Sequence, residues 1–175
     1  AVSDAREGES AKSTVKSLSD ITINIPGHTY LPSDYVENID ERVLLYRKIA
    51  GAASEAEVDA IEEELRERYG PLPQPSVNLL RKARIKAFAN EKRIWNISVS
   101  ASKLNIDGVA LSRDQLIRLK RKGARYLADK KKLIMPMRYF DGTRSDAESD
   151  LVEQIALFVH DIYNGEDALE DAQKG

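Results

Sequence analysis

The stretch SEAEVDAIEEELRERYGPLPQP, residues 54–75, decides how the first half of the chain folds. Ser54 and Glu57 have capping-box spacing, in which the serine hydroxyl accepts from the Glu57 N–H and the glutamate reaches back to the serine. Apolar residues recur at spacings of three and four, which predicts an amphipathic helix over 54–69 with an acidic outer face. Gly70 is expected to end this helix in a left-handed cap, and the prolines after it prevent continuation.

Two further helices are predicted, one on each side of this one. On the N-terminal side, Asn38 or Asp40 caps a helix that runs to about residue 50, and Gly51 closes it. Its apolar positions are Val43, Leu44, Tyr46 and Ile49. On the C-terminal side, a helix over about 75–90 directs apolar residues inward and basic residues outward.

Farther along, the chain alternates apolar and polar residues, which is the pattern of half-buried strands. Strands are predicted over 20–25, 94–100 and 103–107, and a hairpin from 124–128 and 132–138. A basic helix runs from Ser112 to about Lys122, and an amphipathic helix covers about 146–163. The predicted fold class is α+β, with N-terminal helices packed on a small antiparallel sheet and a C-terminal amphipathic helix.

The chain length of 175 residues suits one compact domain. Residues 20–163 are expected to form it. Residues 1–19 are polar and without periodicity, so they are predicted to be a flexible linker or arm, and the acidic tail over 164–175 is predicted to be disordered. The first residue is alanine rather than methionine, so we expect a processed product or a fragment of a larger protein.

The composition excludes several classes of chemistry. The chain has no cysteine, which excludes a disulfide framework, a thiol nucleophile and a cysteine-ligated metal. Its two histidines have no second ligand at metal spacing, and no glycine-rich phosphate loop is present. We therefore expect no enzyme activity and no catalytic, cofactor or metal site. With no apolar run of membrane length, we expect a cytoplasmic protein without a membrane partner.

The small net charge of −2 hides a segregated distribution. Residues 71–140 carry 17 basic and 4 acidic side chains, while both flanking segments are acidic. This pattern fits solvated helix faces, and it also fits a basic surface for nucleic acid or an acidic partner. The candidate contacts of such a basic surface are Arg81, Lys82, Arg118, Arg121 and Lys122.

Three motifs together are more specific than any one of them. They are YLPSDYV at 30–36, RVLLYRKIA at 42–50 and EELRERYGPLPQP at 63–75. In combination they closely resemble the C-terminal domain of the bacterial transcription-repair coupling factor family, Mfd. The resemblance covers about residues 20–163 and is strongest over 31–80. It implies a non-catalytic regulatory domain within an ATP-driven DNA translocase, whose motor uses ATP and Mg²⁺.

The resemblance also implies a partner for the domain. In the family this domain folds back onto a UvrB-like module of the same polypeptide, masks the surface that binds the repair protein UvrA and restrains the motor. RNA polymerase and DNA are reached through the full-length protein. The fold-back contact falls on Glu64, Glu67 and Arg68, which share one face of the predicted helix. The alternative function is contact with nucleic acid or RNA polymerase through the basic segment over 71–140.

Overall fold

The computed structural model describes residues 18–141 and 148–164. Apart from their innermost positions, the predicted arm over 1–19 and the predicted tail over 164–175 lie outside these residues. The description begins with a short 3-10 turn, Leu18–Asp20.

The three helices predicted for the first half are confirmed. They are α1 (Ile39–Ala50), α2 (Glu55–Tyr69) and α3 (Gln74–Lys92). The Asn38 side chain accepts from the Glu41 N–H to cap α1, and Ser54 accepts from the Glu57 N–H to cap α2. The capping box of α2 is only half as predicted, because the Glu57 carboxylate accepts from the Ala53 N–H at 2.7 Å, one residue before the serine.

Gly70 ends α2 with a positive φ, as predicted, but not in the left-handed helical conformation. Its φ of 86° and ψ of −166° place it in a region that only glycine adopts readily. The Gly70 N–H still bonds to the Arg66 carbonyl, and the chain leaves the helix into Pro71.

The sheet has five strands in the order β1-β2-β3-β5-β4. These strands are β1 (Thr22–Asn24), β2 (Asn96–Ser100), β3 (Lys103–Asp107), β4 (Arg125–Leu127) and β5 (Lys132–Pro136). The predicted hairpin is the antiparallel pair β4 and β5. The sheet is mixed rather than antiparallel throughout, because β1 pairs parallel to β2. Helices α1 to α3 lie between these two strands in sequence and form the crossover that a parallel pair requires.

The helices of the second half lie beside this sheet. They are α4 (Arg113–Arg121), α5 (Arg138–Asp141) and α6 (Glu148–Asn164). The short α5 begins where the last predicted strand was expected to continue. In the part of the chain that the structure describes, no helix is long and apolar enough to cross a membrane. The α+β class is confirmed.

The domain has two hydrophobic cores. The helical core lies among α1, α2, the segment before α1 and the first half of α3, with Val58, Leu65 and Leu80 fully buried. The sheet core lies between the sheet, α6 and the second half of α3, with Phe88 and Ile106 buried. Since α3 contributes to both, it fixes the helical layer against the sheet. The helical core in turn holds α1 beside α2, so charged side chains of the two helices can meet.

Candidate docking surface

The three residues that the resemblance points to lie together on the outside of α2. The buried stripe of Val58, Ile61 and Leu65 packs α2 onto the helical core, and Glu64 and Arg68 flank this stripe on the side of α2 that reaches α1. The Arg68 guanidinium lies 3.5 Å from a Glu64 carboxylate oxygen, one turn away. Glu67 is exposed beside them and has no ion-pair partner among the residues that the structure describes.

Helix α1 supplies two further charges that the sequence analysis did not select. Lys48 Nζ lies 2.5 Å from the second Glu64 oxygen, and Arg68 Nη2 lies 3.3 Å from Glu41 Oε1. Tyr69 donates its hydroxyl to Glu41 Oε2 at 2.8 Å. We call Glu41, Lys48, Glu64 and Arg68 the charge network. Negative and positive groups alternate along it, and it joins α1 to α2.

The electrostatics of the charge network follow from these contacts. The hydrogen bond from Lys48, helped by the nearby Arg68, holds the pKa of Glu64 below its ordinary value despite some desolvation. Partial burial and the hydrogen bond to Glu41 raise the pKa of Tyr69, so its hydroxyl stays protonated and donates. Glu64 therefore stays anionic at lower pH than an ordinary glutamate does.

These ion pairs are close to solvent and can exchange partners. The Arg68 side chain is 46% exposed and that of Glu64 is 32% exposed. An exposed pair contributes only about 0–1 kcal/mol to stability, because water screens the attraction and both side chains lose freedom. An approaching surface that offers well-placed charges can therefore replace individual pairs of the charge network.

The five basic residues selected from sequence are divided between α3 and the region of α4. Arg81 and Lys82 belong to α3, and the other three lie on α4 or directly after it. Arg81 pairs with Glu153 of α6 at 3.6 Å, and Arg118 donates to the Asp161 carbonyl at 3.2 Å.

Lys82 lies 3.5 Å from the Ile25 carbonyl, and partial burial lowers its pKa. The Lys122 ammonium lies 5.8 Å from the centre of the Tyr139 ring, and Arg121 is exposed.

The structure also has a groove, and its acidic and histidine side chains can be checked for a metal site. A groove of about 300 Å³ lies between β1, α1 and α3, with mostly apolar walls and two lysines, Lys82 and Lys86. Within the described ranges, no three acidic or histidine side chains converge as a metal site would require. The charge network is therefore the candidate site that the family resemblance and the structure have in common.

Comparison with known proteins identifies the family. The family model of the TRCF domain matches residues 25–118, which is more than half of the chain. The match spans α1, α2, α3, β2, β3 and most of α4.

Individual relatives agree with this match. The chain is 33% identical over 127 residues to the transcription-repair-coupling factor of Mycobacterium tuberculosis (strain CDC 1551 / Oshkosh), which covers 71% of this chain and 10% of that protein. It is 34% identical over 80 residues to the transcription-repair-coupling factor of Escherichia coli (strain K12), which covers 43% of this chain and 7% of that protein. The chain thus spans about a tenth or less of the length of these relatives.

The fold also matches a solved structure. A crystal structure of the C-terminal domain of transcription-repair coupling factor superposes with a TM-score of 0.60 at 18% identity, covering 85% of this chain and 96% of that one. Since identity is low, this likeness concerns the fold. Taken with the sequence matches, it shows that this chain belongs to the TRCF domain family of the transcription-repair coupling factors.

Proposed function

We propose that this domain is a non-catalytic, autoinhibitory interaction module of an ATP-dependent DNA translocase that couples transcription to nucleotide excision repair. It docks on a UvrB-like module of the same polypeptide, masks the surface that binds UvrA and restrains the motor. RNA polymerase and DNA are indirect partners through the full-length protein. ATP and Mg²⁺ serve the parent motor, and the domain itself needs no cofactor.

The observation that carries the proposal is the exposed patch of Glu64, Glu67 and Arg68 on α2. The family resemblance points to these three residues; Glu64 and Arg68 form an ion pair, Glu67 is exposed on the same helix, and none of the three is buried. Two carboxylates and one guanidinium can form charge-assisted hydrogen bonds with a facing domain, including bidentate ones through the arginine.

The chemistry of this patch suits a contact that must open. A large apolar interface favours permanent association, whereas a polar one resembles the transient contacts between domains. Because the contributing charges are exposed, added salt screens them. The proposal therefore requires that docking weaken as ionic strength rises.

The direct test is the double charge reversal of Glu64→Lys with Glu67→Lys. Binding of this chain to the parent polypeptide lacking it is measured by calorimetry, at low and at high salt. Each charge-assisted contact contributes about 1.5–3 kcal/mol at best, so the reversal is expected to weaken docking at least about tenfold. The matched control is Asp114→Lys with Asp129→Lys, which changes the charge equally on the far half of the domain. Equal affinity of the reversed variant and the control would contradict the proposal.

A second candidate function is contact with nucleic acid through α4. Its Arg113, Lys120 and Arg121 are exposed and have no ion-pair partner among the described residues. Phosphate contacts of this kind give an affinity that falls steeply with salt. If α4 contacts nucleic acid, the wild-type chain binds DNA measurably at low salt, and reversal of Lys120 and Arg121 to glutamate abolishes that binding. If the wild-type chain does not bind DNA at low salt, this second function is excluded.

A further inference from the structure

We propose that the acidic segment over 165–175 docks on the basic outer face of α4 in the same chain and competes there with nucleic acid. The inference rests on the second candidate function for its competitor, and it adds a regulation of that face. It is independent of docking through α2.

The first observation is the composition of the outer face of α4. Arg113, Ile117, Lys120 and Arg121 recur at helical spacing, so they share the face opposite the buried Leu119. All four are exposed, and the three cations have no ion-pair partner among the described residues. The cations lie one turn before and one turn after the isoleucine. Such a face suits an acidic ligand that brings an apolar side chain of its own.

The second observation is that the segment has the complementary pattern. Its sequence, GEDALEDAQKG, has four acidic residues and one basic residue. The pairs Glu166-Asp167 and Glu170-Asp171 flank Leu169, the single large apolar residue of the segment. The order acidic, apolar, acidic in the segment therefore matches the order basic, apolar, basic on α4.

The third observation is the place where the segment leaves the domain. Helix α6 ends at Asn164 against α4. Gln115 Nε2 donates to the Ile162 carbonyl at 2.7 Å, and Arg118 Nη2 donates to the Asp161 carbonyl at 3.2 Å. Carbonyls of a last helical turn lack partners within their helix, so these two side chains cap α6. The chain therefore continues into the acidic segment directly beside the basic helix.

The segment is long enough to cover this face. Its eleven residues reach up to about 36 Å when extended, whereas the nine residues of α4 are about 14 Å long. Attachment beside the face gives the segment a local concentration of about millimolar. Weak, exposed ion pairs are then sufficient for docking, and added salt weakens them.

Docking of the segment excludes other anions from the same cations. The phosphates of nucleic acid reach the outer face of α4 only while the segment is away. The affinity for DNA therefore falls by the fraction of time for which the face is uncovered. A face covered about nine-tenths of the time binds DNA about tenfold more weakly than a free one, which leaves binding measurable at low salt.

The contact is tested with a nitroxide spin label on Ala172→Cys, because the chain has no cysteine of its own. Broadening of backbone amide signals by the label is compared with that in a segment variant, which replaces the four acids by amides: Glu166→Gln, Asp167→Asn, Glu170→Gln and Asp171→Asn. Both chains have the same tether, so a difference reports docking. Stronger broadening along α4 is expected with the acids present. Equal broadening in the two chains would overturn the inference.

The matched control neutralises four exposed acids before or on α1 and α2: Asp34→Asn, Glu37→Gln, Asp40→Asn and Glu63→Gln. It changes the net charge equally and should keep the wild-type broadening along α4. At low salt, the segment variant should bind a short DNA duplex about tenfold more tightly than this control does. Equal DNA affinity of the two variants would show that the segment does not compete with nucleic acid, and would overturn the inference.

The outcomes separate this inference from the proposed functions. If the label broadens the signals around Lys82 and Lys86 of the groove instead of those of α4, the segment docks elsewhere and the inference is overturned. If none of the chains binds DNA, the second candidate function fails and the competition fails with it, while the broadening still decides the contact. Docking through Glu64, Glu67 and Arg68 is measured separately, and these results do not bear on it.

Discussion

The α1–α2 face and α4 of this domain differ in how their surface charges are paired. On α1 and α2, acidic and basic side chains alternate and pair across the two helices. On α4, at the other half, Arg113, Lys120 and Arg121 point to solvent without ion-pair partners among the described residues. Paired charges recognise a partner by local geometry, whereas unpaired cations attract any anionic surface from a distance. The difference favours the helical half as the selective docking surface.

The largest expected effects test whether the two halves are one cooperative unit. Leu65→Ala empties part of the helical core, and Ile106→Ala does so in the sheet core. Each is expected to cost about 2–5 kcal/mol of unfolding free energy. Because α3 lies in both cores, both variants should shift a single transition. Urea unfolding followed by Trp95 fluorescence and by far-ultraviolet circular dichroism checks this, since the tryptophan reports on the sheet half. Separate midpoints for the two signals would show that the halves unfold independently.

Smaller losses of stability are expected from substitutions of two glycines, Gly70 at the end of α2 and Gly108 directly after β3. A Cβ on Gly108 would lie 2.6 Å from the Arg93 carbonyl oxygen and 2.8 Å from a Trp95 ring atom, whereas one on Gly70 would meet no atom within 4 Å. Both residues have positive φ. Gly70→Val should therefore cost about 1–3 kcal/mol from backbone strain alone, and Gly108→Ala should cost more because a clash is added. The ranking of their melting temperatures checks this, and a Gly70→Val protein as stable as wild type would contradict it.

The smallest effect concerns the pH dependence of the joint between α2 and α3. Arg84 of α3 bonds to Asp59 and Glu62 of α2, and Glu62 also accepts from Arg66. Partial burial alone would raise the pKa of Glu62, but Arg84 and Arg66 outweigh it and hold this pKa below its ordinary value of 4.5. Ionised Glu62 therefore stabilises the fold above about pH 4.5, and this contribution is lost as the pH falls through the folded-state pKa.

Glu62→Gln should accordingly be less stable than wild type at neutral pH, and the difference should shrink below pH 4.5. Unfolding free energies measured between pH 3 and 7 test this expectation. Glu67→Gln serves as the control because Glu67 has no ion-pair partner among the described residues. A stability difference that stays constant with pH would show that the Arg84 contacts do not depend on the Glu62 charge.

The sequence was most informative where the structure depends on local signals. The bounds of α2 follow from Ser54 and Gly70, and the alternation over 103–107 located β3. The parallel pairing of β1 with β2 was missed because strand partners 74 residues apart in register, Thr22 and Asn96, leave no local signature. Likewise, Glu41 and Lys48 became part of the docking surface only because the helical core sets α1 against α2. Helical period alone does not tell which of two adjacent leucines enters the core, so Leu44 was read as an ordinary apolar position although it is exposed and Leu45 is the buried one.

The central claim is that the α1–α2 face docks on the UvrB-like module of the parent protein and so masks the surface that binds UvrA. The most direct measurement is UvrA binding to the full-length parent, without stalled RNA polymerase, in the wild type and in the Glu64→Lys, Glu67→Lys variant. We predict that the wild type binds UvrA weakly and that the variant binds it readily, with raised basal ATP hydrolysis, because the opened domain no longer masks the UvrB-like module. A variant that remains as closed to UvrA as the wild type, with unchanged ATP hydrolysis, would contradict the account.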